Sequence, residues 1–170
     1  MKNIILIGFM GVGKGTIARA FCAHMEMVGL DTDDIIESME NRSIKEVFDT
    51  QGEAYFRAKE KQVASWLGKH VKNTLISTGG GFFMVENLNK IGTVVYLKSS
   101  FEGILERILT HPNAEQKLAK RPLFADQEKA KALFDKRAPL YEKKADIVLH
   151  VEGKSIQDIV KELKLSLIHI

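Results

Sequence analysis

Nine residues near the amino end, Gly8-Phe9-Met10-Gly11-Val12-Gly13-Lys14-Gly15-Thr16, set glycines and a lysine at the spacing G-x-x-x-x-G-K. Glycine lets successive backbone N–H groups converge on phosphate oxygens with no Cβ in the way. The lysine adds a point charge for the outer phosphates. If a strand precedes this loop and a helix follows it, the implied chemistry is capture of a nucleotide's phosphate tail by Gly11, Val12, Gly13, Lys14, Gly15 and Thr16. The residue after the lysine usually carries a hydroxyl that reaches Mg²⁺, and here it is Gly15. Thr16 lies about 100° further round a helix. Thr16 is therefore expected to serve a phosphate oxygen, with Mg²⁺ held largely through water, as that ion tolerates.

Three further groups could act on such a tail or on its acceptor. Asp31-Thr32-Asp33-Asp34 crowds carboxylates that raise one another's proton affinity unless a cation or donors intervene. One could hold the waters of a metal–nucleotide and another could take a hydroxyl proton. The same string also suits a helix N-cap with an acidic first turn, and taken alone that plainer reading is favoured. Gly79-Gly80-Gly81 is costly to order unless backbone N–H groups approach a ligand closely, the plainer reading being a tight turn. Arg57, three residues before Glu60 on a helix, shares a face with it, so Glu60 can orient the guanidinium. Arg121 closes a polar stretch and Arg137 precedes the last strand. Guanidinium groups bind carboxylate and phosphate through paired donors, although any single arginine is more often a solvated charge.

The elements that must position these residues alternate. Ile4–Ile7, 28–30, 74–78, 93–97 and 147–151 read as strands. Helices are expected over 14–25, 33–40, 44–69 with a break near Gly52, 101–109, 126–144 and 155–165. Such alternation predicts an α/β fold with a mostly parallel sheet, and ligands gathered at the carboxyl ends of its strands. Residues 110–122, the most polar segment, read as a mobile loop. The 170 residues suit one domain, 1–170. One cysteine, Cys22, excludes an internal disulfide framework and is expected to be a buried packing residue; Trp66 is expected in the core or half-buried. The net charge of +3 comes from 25 Lys and Arg interleaved with 22 Asp and Glu, which argues for small anionic ligands over nucleic acid. No apolar run nears the roughly 20 residues of a membrane span, and the short apolar run after Lys2 is not read as an export signal. The five histidines show no metal-ligand spacing, and the apolar end Leu163–Ile170 is expected to dock on the sheet or on a partner chain.

The strings GFMGVGKGT, LDTDDIIE, YFRAKE, STGGGF, KRPLF and KRAPLYEKKAD occur in this order. From Ile4 to about Val151 the chain resembles the shikimate kinases of the small P-loop kinase superfamily. The resemblance implies a five-stranded parallel sheet in the order 2-3-1-4-5, a lid over about 110–122 and a substrate-binding region over about 33–60. It implies transfer of the ATP γ-phosphoryl to the 3-hydroxyl of shikimate, with Mg²⁺, in a cytoplasmic monomer with no nucleic-acid or membrane partner. Asp33 would then bind shikimate and act as the base, and Asp31 would help hold hydrated Mg²⁺. Arg57 and Arg137 would clamp the substrate carboxylate, Gly80 would add an N–H between Gly79 and Gly81, and Glu60 would stand behind Arg57. Arg121 would reach the transferring phosphate from the lid, Arg107 would stack on adenine and Lys154 would touch the adenine edge. The alternative is a kinase for another small acceptor, a nucleoside monophosphate or gluconate, which Gly15 favours slightly.

Overall fold

A computed structural model describes residues 2–119 and 121–168. Lys120, within the expected lid, and His169 and Ile170, at the expected docking tail, lie outside the described residues. Five strands, β1 (Asn3–Ile7), β2 (Gly29–Asp31), β3 (Leu75–Ser77), β4 (Gly92–Lys98) and β5 (Ile147–His150), form one sheet in the order β2-β3-β1-β4-β5. All four neighbouring pairs are parallel. β1 sits at the centre with every residue buried, as expected of an apolar run covered on both faces.

Helices α1 (Lys14–Met25), α2 (Thr32–Glu40), α3 (Ile44–Gln51), α4 (Glu53–His70), α5 (Leu88–Ile91), α6 (Phe101–Leu109), α7 (Ala114–Ala119), α8 (Gln127–Lys144) and α9 (Ile156–Ile168) cover the sheet. The expected break at Gly52 is real: φ there is +83°, and the residue both ends α3 and starts α4. Ser43 starts α3 with a capping box to Glu46. Below the sheet, Asn3 is 1% exposed; its Nδ2 donates to the carbonyls of Val71 and Ile91 while its Oδ1 accepts from Thr74 N–H. One buried polar side chain thus ties three chain segments to the amino end of β1.

The structure revises several expectations. Residues 110–122 are not all loop, because Ala114–Ala119 forms α7 and Pro122–Ala125 a 3₁₀ turn. α7 buries no residue, so apolar periodicity gave no signal for it. β2 ends on Asp31 rather than Leu30, which sets the first acidic residue at the strand's mouth. Trp66, 47% exposed, takes the half-buried of its two expected placements. Cys22 is buried. The apolar end continues α9, which seats Ile159, Val160 and Leu163 in the core and packs on α1 and β5, leaving Leu165 and Ile168 exposed.

Candidate active site

The loop after β1 runs directly into α1, the context that the G-x-x-x-x-G-K spacing requires. Gly13 caps α1 with φ +103° and no side-chain acceptor, and the first turn carries no acidic residue. A Cβ on Gly13 would also meet Arg107 Nη2 at 2.5 Å. The first N–H groups of α1 therefore face the cleft with no side-chain cap, as an anion site demands. Lys14 is buried, and its Nζ donates to the carbonyls of Gly8 (2.7 Å) and Phe9 (3.1 Å). Burial lowers its pKa to about 8; the carboxylates of Asp33 and Asp31 oppose that shift, and Arg121 and Arg137 reinforce it.

A cavity of about 320 Å³ opens above the loop. The loop's Gly11, Gly13, Lys14, Gly15 and Thr16 form one wall. Asp31, Asp33, Ser77, Thr78, Gly79 and Gly80 form another, from the ends of β2 and β3. Arg107, Lys117 and Arg121 close it from the α6–α7 side, where Arg121 Nη1 donates to the Lys117 carbonyl at 3.1 Å. A neighbouring pocket of about 240 Å³ is walled by Val12, Arg107 and Lys154. Arg107 borders both, so it marks the join between the two pockets. Lys154 reaches that pocket but its Nζ already pairs with Glu162 at 2.7 Å.

The acidic cluster serves in two ways. Asp31 caps α2, its Oδ1 accepting from Asp33 N–H (2.9 Å) and Asp34 N–H (3.4 Å), and it also lines the cavity. Asp33 keeps Oδ1 buried with no partner among the described residues. Burial foremost, then Asp31 and Glu60, raise its pKa to about 7, against the pull of Lys14. A carboxyl poised there suits a general base near neutrality.

Beside it, Arg57 Nη1 donates to Glu60 Oε2 at 2.5 Å and Nη2 to Glu53 Oε1 at 3.2 Å. Arg57 Nε and Glu60 Oε1 are both buried without partners. Burial raises the pKa of Glu60, opposed by Arg57 and Arg137. The triple glycine explains how these charges fit together. A Cβ at Gly79 would lie 2.5 Å from Asp33 Oδ1, one at Gly80 would lie 3.5 Å from Arg137 Nη1, and one at Gly81 would collide with the Arg57 guanidinium. None of the three has positive φ, so space for charged side chains, not backbone conformation, demands glycine here.

All the residues expected at the site therefore line it or adjoin it, and Thr16 lines the same cavity as Asp31. Four contributors escaped the sequence reading. Ser77 and Thr78 end β3 inside the string STGGGF, and Lys117 lies in the polar segment as one lysine among several. Tyr141 is fully buried; its hydroxyl donates to the Gly80 carbonyl at 2.6 Å, and its ring packs on Phe83 and Tyr96. Only the fold brings it to Gly80, 61 residues away.

Among the described residues no group of three or more His, Cys, Asp or Glu could hold a metal ion. Asp31 and Thr16 beside the phosphate wall fit an ion carried in by phosphates and waters, which is how Mg²⁺ is usually bound.

The family model described as Shikimate kinase matches residues 10–167. A shikimate kinase of Helicobacter hepaticus is 41% identical over 157 residues, 92% of this chain and 91% of that protein. The solved structure of a shikimate kinase from Acinetobacter baumannii in complex with shikimate superposes with a TM-score of 0.87 at 28% identity, covering 99% of this chain and 94% of the other. That of Aquifex aeolicus gives a TM-score of 0.78 at 37% identity, with 97% and 95% covered.

Proposed function

The chain belongs to the shikimate kinase family, and from that premise we propose how its residues carry out the family's reaction. That reaction is transfer of the ATP γ-phosphoryl to the 3-hydroxyl of shikimate, giving shikimate 3-phosphate and ADP on the route to chorismate and the aromatic amino acids. Nucleoside monophosphate and gluconate acceptors are not favoured.

One observation carries the assignment of roles: the cavity that the phosphate loop lines also holds Asp33, whose buried Oδ1 is unpartnered, and the triple glycine at its edge packs against Arg137 and against Arg57, whose Nε is likewise buried and unpartnered, as is Glu60 Oε1 beside it. Buried polar atoms without partners are rare, and a polyhydroxylated carboxylate would satisfy them. Arg57 and Arg137 grip its carboxylate, with Gly80 N–H between them and Glu60 fixing the Arg57 fork. Asp33 accepts the 3-hydroxyl proton as the new O–P bond forms and the bond to ADP breaks. Gly11 to Thr16 wrap the phosphates, Lys14 leaves its carbonyls for the γ-phosphate, and Arg121 meets the same charge from the lid. Arg107 and Lys154 border the adenine. Asp31 would hold Mg²⁺ through water and Thr16 would serve a phosphate oxygen, the ion supplying neutralisation of phosphate charge.

The proposal includes a single domain over 1–170, with an acceptor region over about 33–60 and a lid over about 110–122. It includes a cytoplasmic monomer that serves small molecules and neither nucleic acid nor membrane. The interleaved charges support the exclusion of nucleic acid. No described helix is long and apolar enough to cross a membrane. An ADP-release assay with an acceptor panel tests the reading. ADP should appear with shikimate, and release only with gluconate or a nucleoside monophosphate would reverse it.

A further inference from the structure

Gly15 leaves a gap where a hydroxyl would stand, and the structure puts a different group there. Gly15 and Arg19 are one turn apart on α1 and share a face. Arg19 Nη1 lies 3.4 Å from the point a Cβ on Gly15 would occupy. Apart from its chain neighbours Lys14 and Thr16, no other side chain or remote backbone among the described residues comes within 4 Å of that point. Arg19 borders the phosphate cavity together with Lys14, Thr16 and Asp31. It also borders a second opening of about 330 Å³ with Asp31, Asp34 and Ser77. Among the described residues it forms no ion pair and no side-chain hydrogen bond, although its charge lowers the proton affinity of both Asp34 and Lys117. An exposed guanidinium at the rim of an anion site, committed to nothing, is available to the anion.

We propose that Arg19 is a nucleotide-phosphate ligand that fills the place of the missing hydroxyl at position 15, so that the trough holds a diphosphate tail with less reliance on Mg²⁺. The inference rests on the reading that this cavity takes the phosphate tail. A guanidinium keeps its proton at every physiological pH and offers two parallel donors to a phosphate, whereas a Ser or Thr hydroxyl acts mainly through the metal. Serine at position 15 would occupy the space that Arg19 now covers.

The test is calorimetric titration with ADP, once with EDTA and once with excess Mg²⁺. It uses the parent protein, Arg19→Gln, Arg19→Lys and Gly15→Ser. Arg19→Gln should weaken metal-free ADP binding on the order of tenfold, the loss of one charge-assisted pair, and weaken Mg²⁺–ADP binding less. Arg19→Lys should fall between, keeping charge without the fork. Gly15→Ser should widen the gap between the two buffers. Equal metal-free affinity in Arg19→Gln and the parent overturns the inference while leaving the trough as a phosphate site. A folded parent that binds ADP in neither buffer overturns the trough and this inference together.

Discussion

The two halves of the cleft differ in how they wait for their ligands. On the phosphate side the principal cation is satisfied internally, with Lys14 Nζ bonded to two carbonyls of its own loop. On the acceptor side Asp33 Oδ1, Arg57 Nε and Glu60 Oε1 are buried and unsatisfied. Nucleotide binding must therefore exchange bonds, whereas acceptor binding completes them. The acceptor half stores the cost of its own preorganisation, as strained or under-satisfied sites do elsewhere. Removing the Asp33 charge should thus raise ligand-free stability, whereas removing Lys14 also strips two carbonyls of their donor and should gain less.

The largest effect is expected from Asp33→Asn, which removes the proposed base. Turnover should fall roughly 10²–10⁴-fold, with ADP affinity nearly unchanged by calorimetry. The folded pKa of Asp33 is raised to about 7 from an ordinary 3.8, so its ionised form costs stability fully above pH 7 and less as pH falls toward 4. The ligand-free variant should accordingly melt higher than the parent at pH 8, and the gain should vanish near pH 4. A lower melting temperature at pH 8 would break the contrast between the halves.

Lys14→Met should cost about 10²–10³-fold in turnover, the scale of losing one preorganised electrostatic contact. Its ligand-free melting temperature at pH 7 should not fall, since the methylene stem is kept and a desolvated charge is lost. The pH profile sharpens the contrast further. Asp33 predicts a kcat/KM for shikimate that drops about tenfold per unit below pH 7. Lys14, at about 8, predicts a KM for ATP that climbs above pH 8. Acid and alkaline limbs should thus respond to different substrates, and a single limb shared by both would contradict it. The smallest change is expected for Tyr141→Phe, which deletes one hydrogen bond to Gly80 worth about 1 kcal/mol. KM for shikimate should rise about fivefold while KM for ATP holds, with the aromatic packing intact.

The phosphate half was largely legible in the sequence because its parts are local. A nine-residue string, a preceding apolar run and a following amphipathic run determine the loop from Gly8 to Gly13 after β1 and the first turn of α1 through Thr16. Asp31 and Asp33 were legible for the same reason, and the N-cap reading holds at Asp31, which also lines the cavity. The acceptor half was legible in residue identity but not in cause. The glycines at 79–81 were read as backbone approaching a ligand, whereas Asp33, Arg137 and Arg57 crowd their Cα atoms. Such crowding joins α2, α4 and α8, and no local pattern encodes it. Tyr141 and Arg19 escaped because a tyrosine or arginine on a helix has many plainer uses. α5, with four residues, and α7, with no buried face, carry too little periodicity to read.

The lysine tethered to Gly8 and Phe9 has a consequence for life in a phosphate-rich solution. An incoming anion must outbid two carbonyl groups before it gains that charge. On the proposed roles, free orthophosphate has no adenine to engage Arg107 and brings little to the contest. The loop would then be latched against small competitors and yield to a tail anchored at its far end.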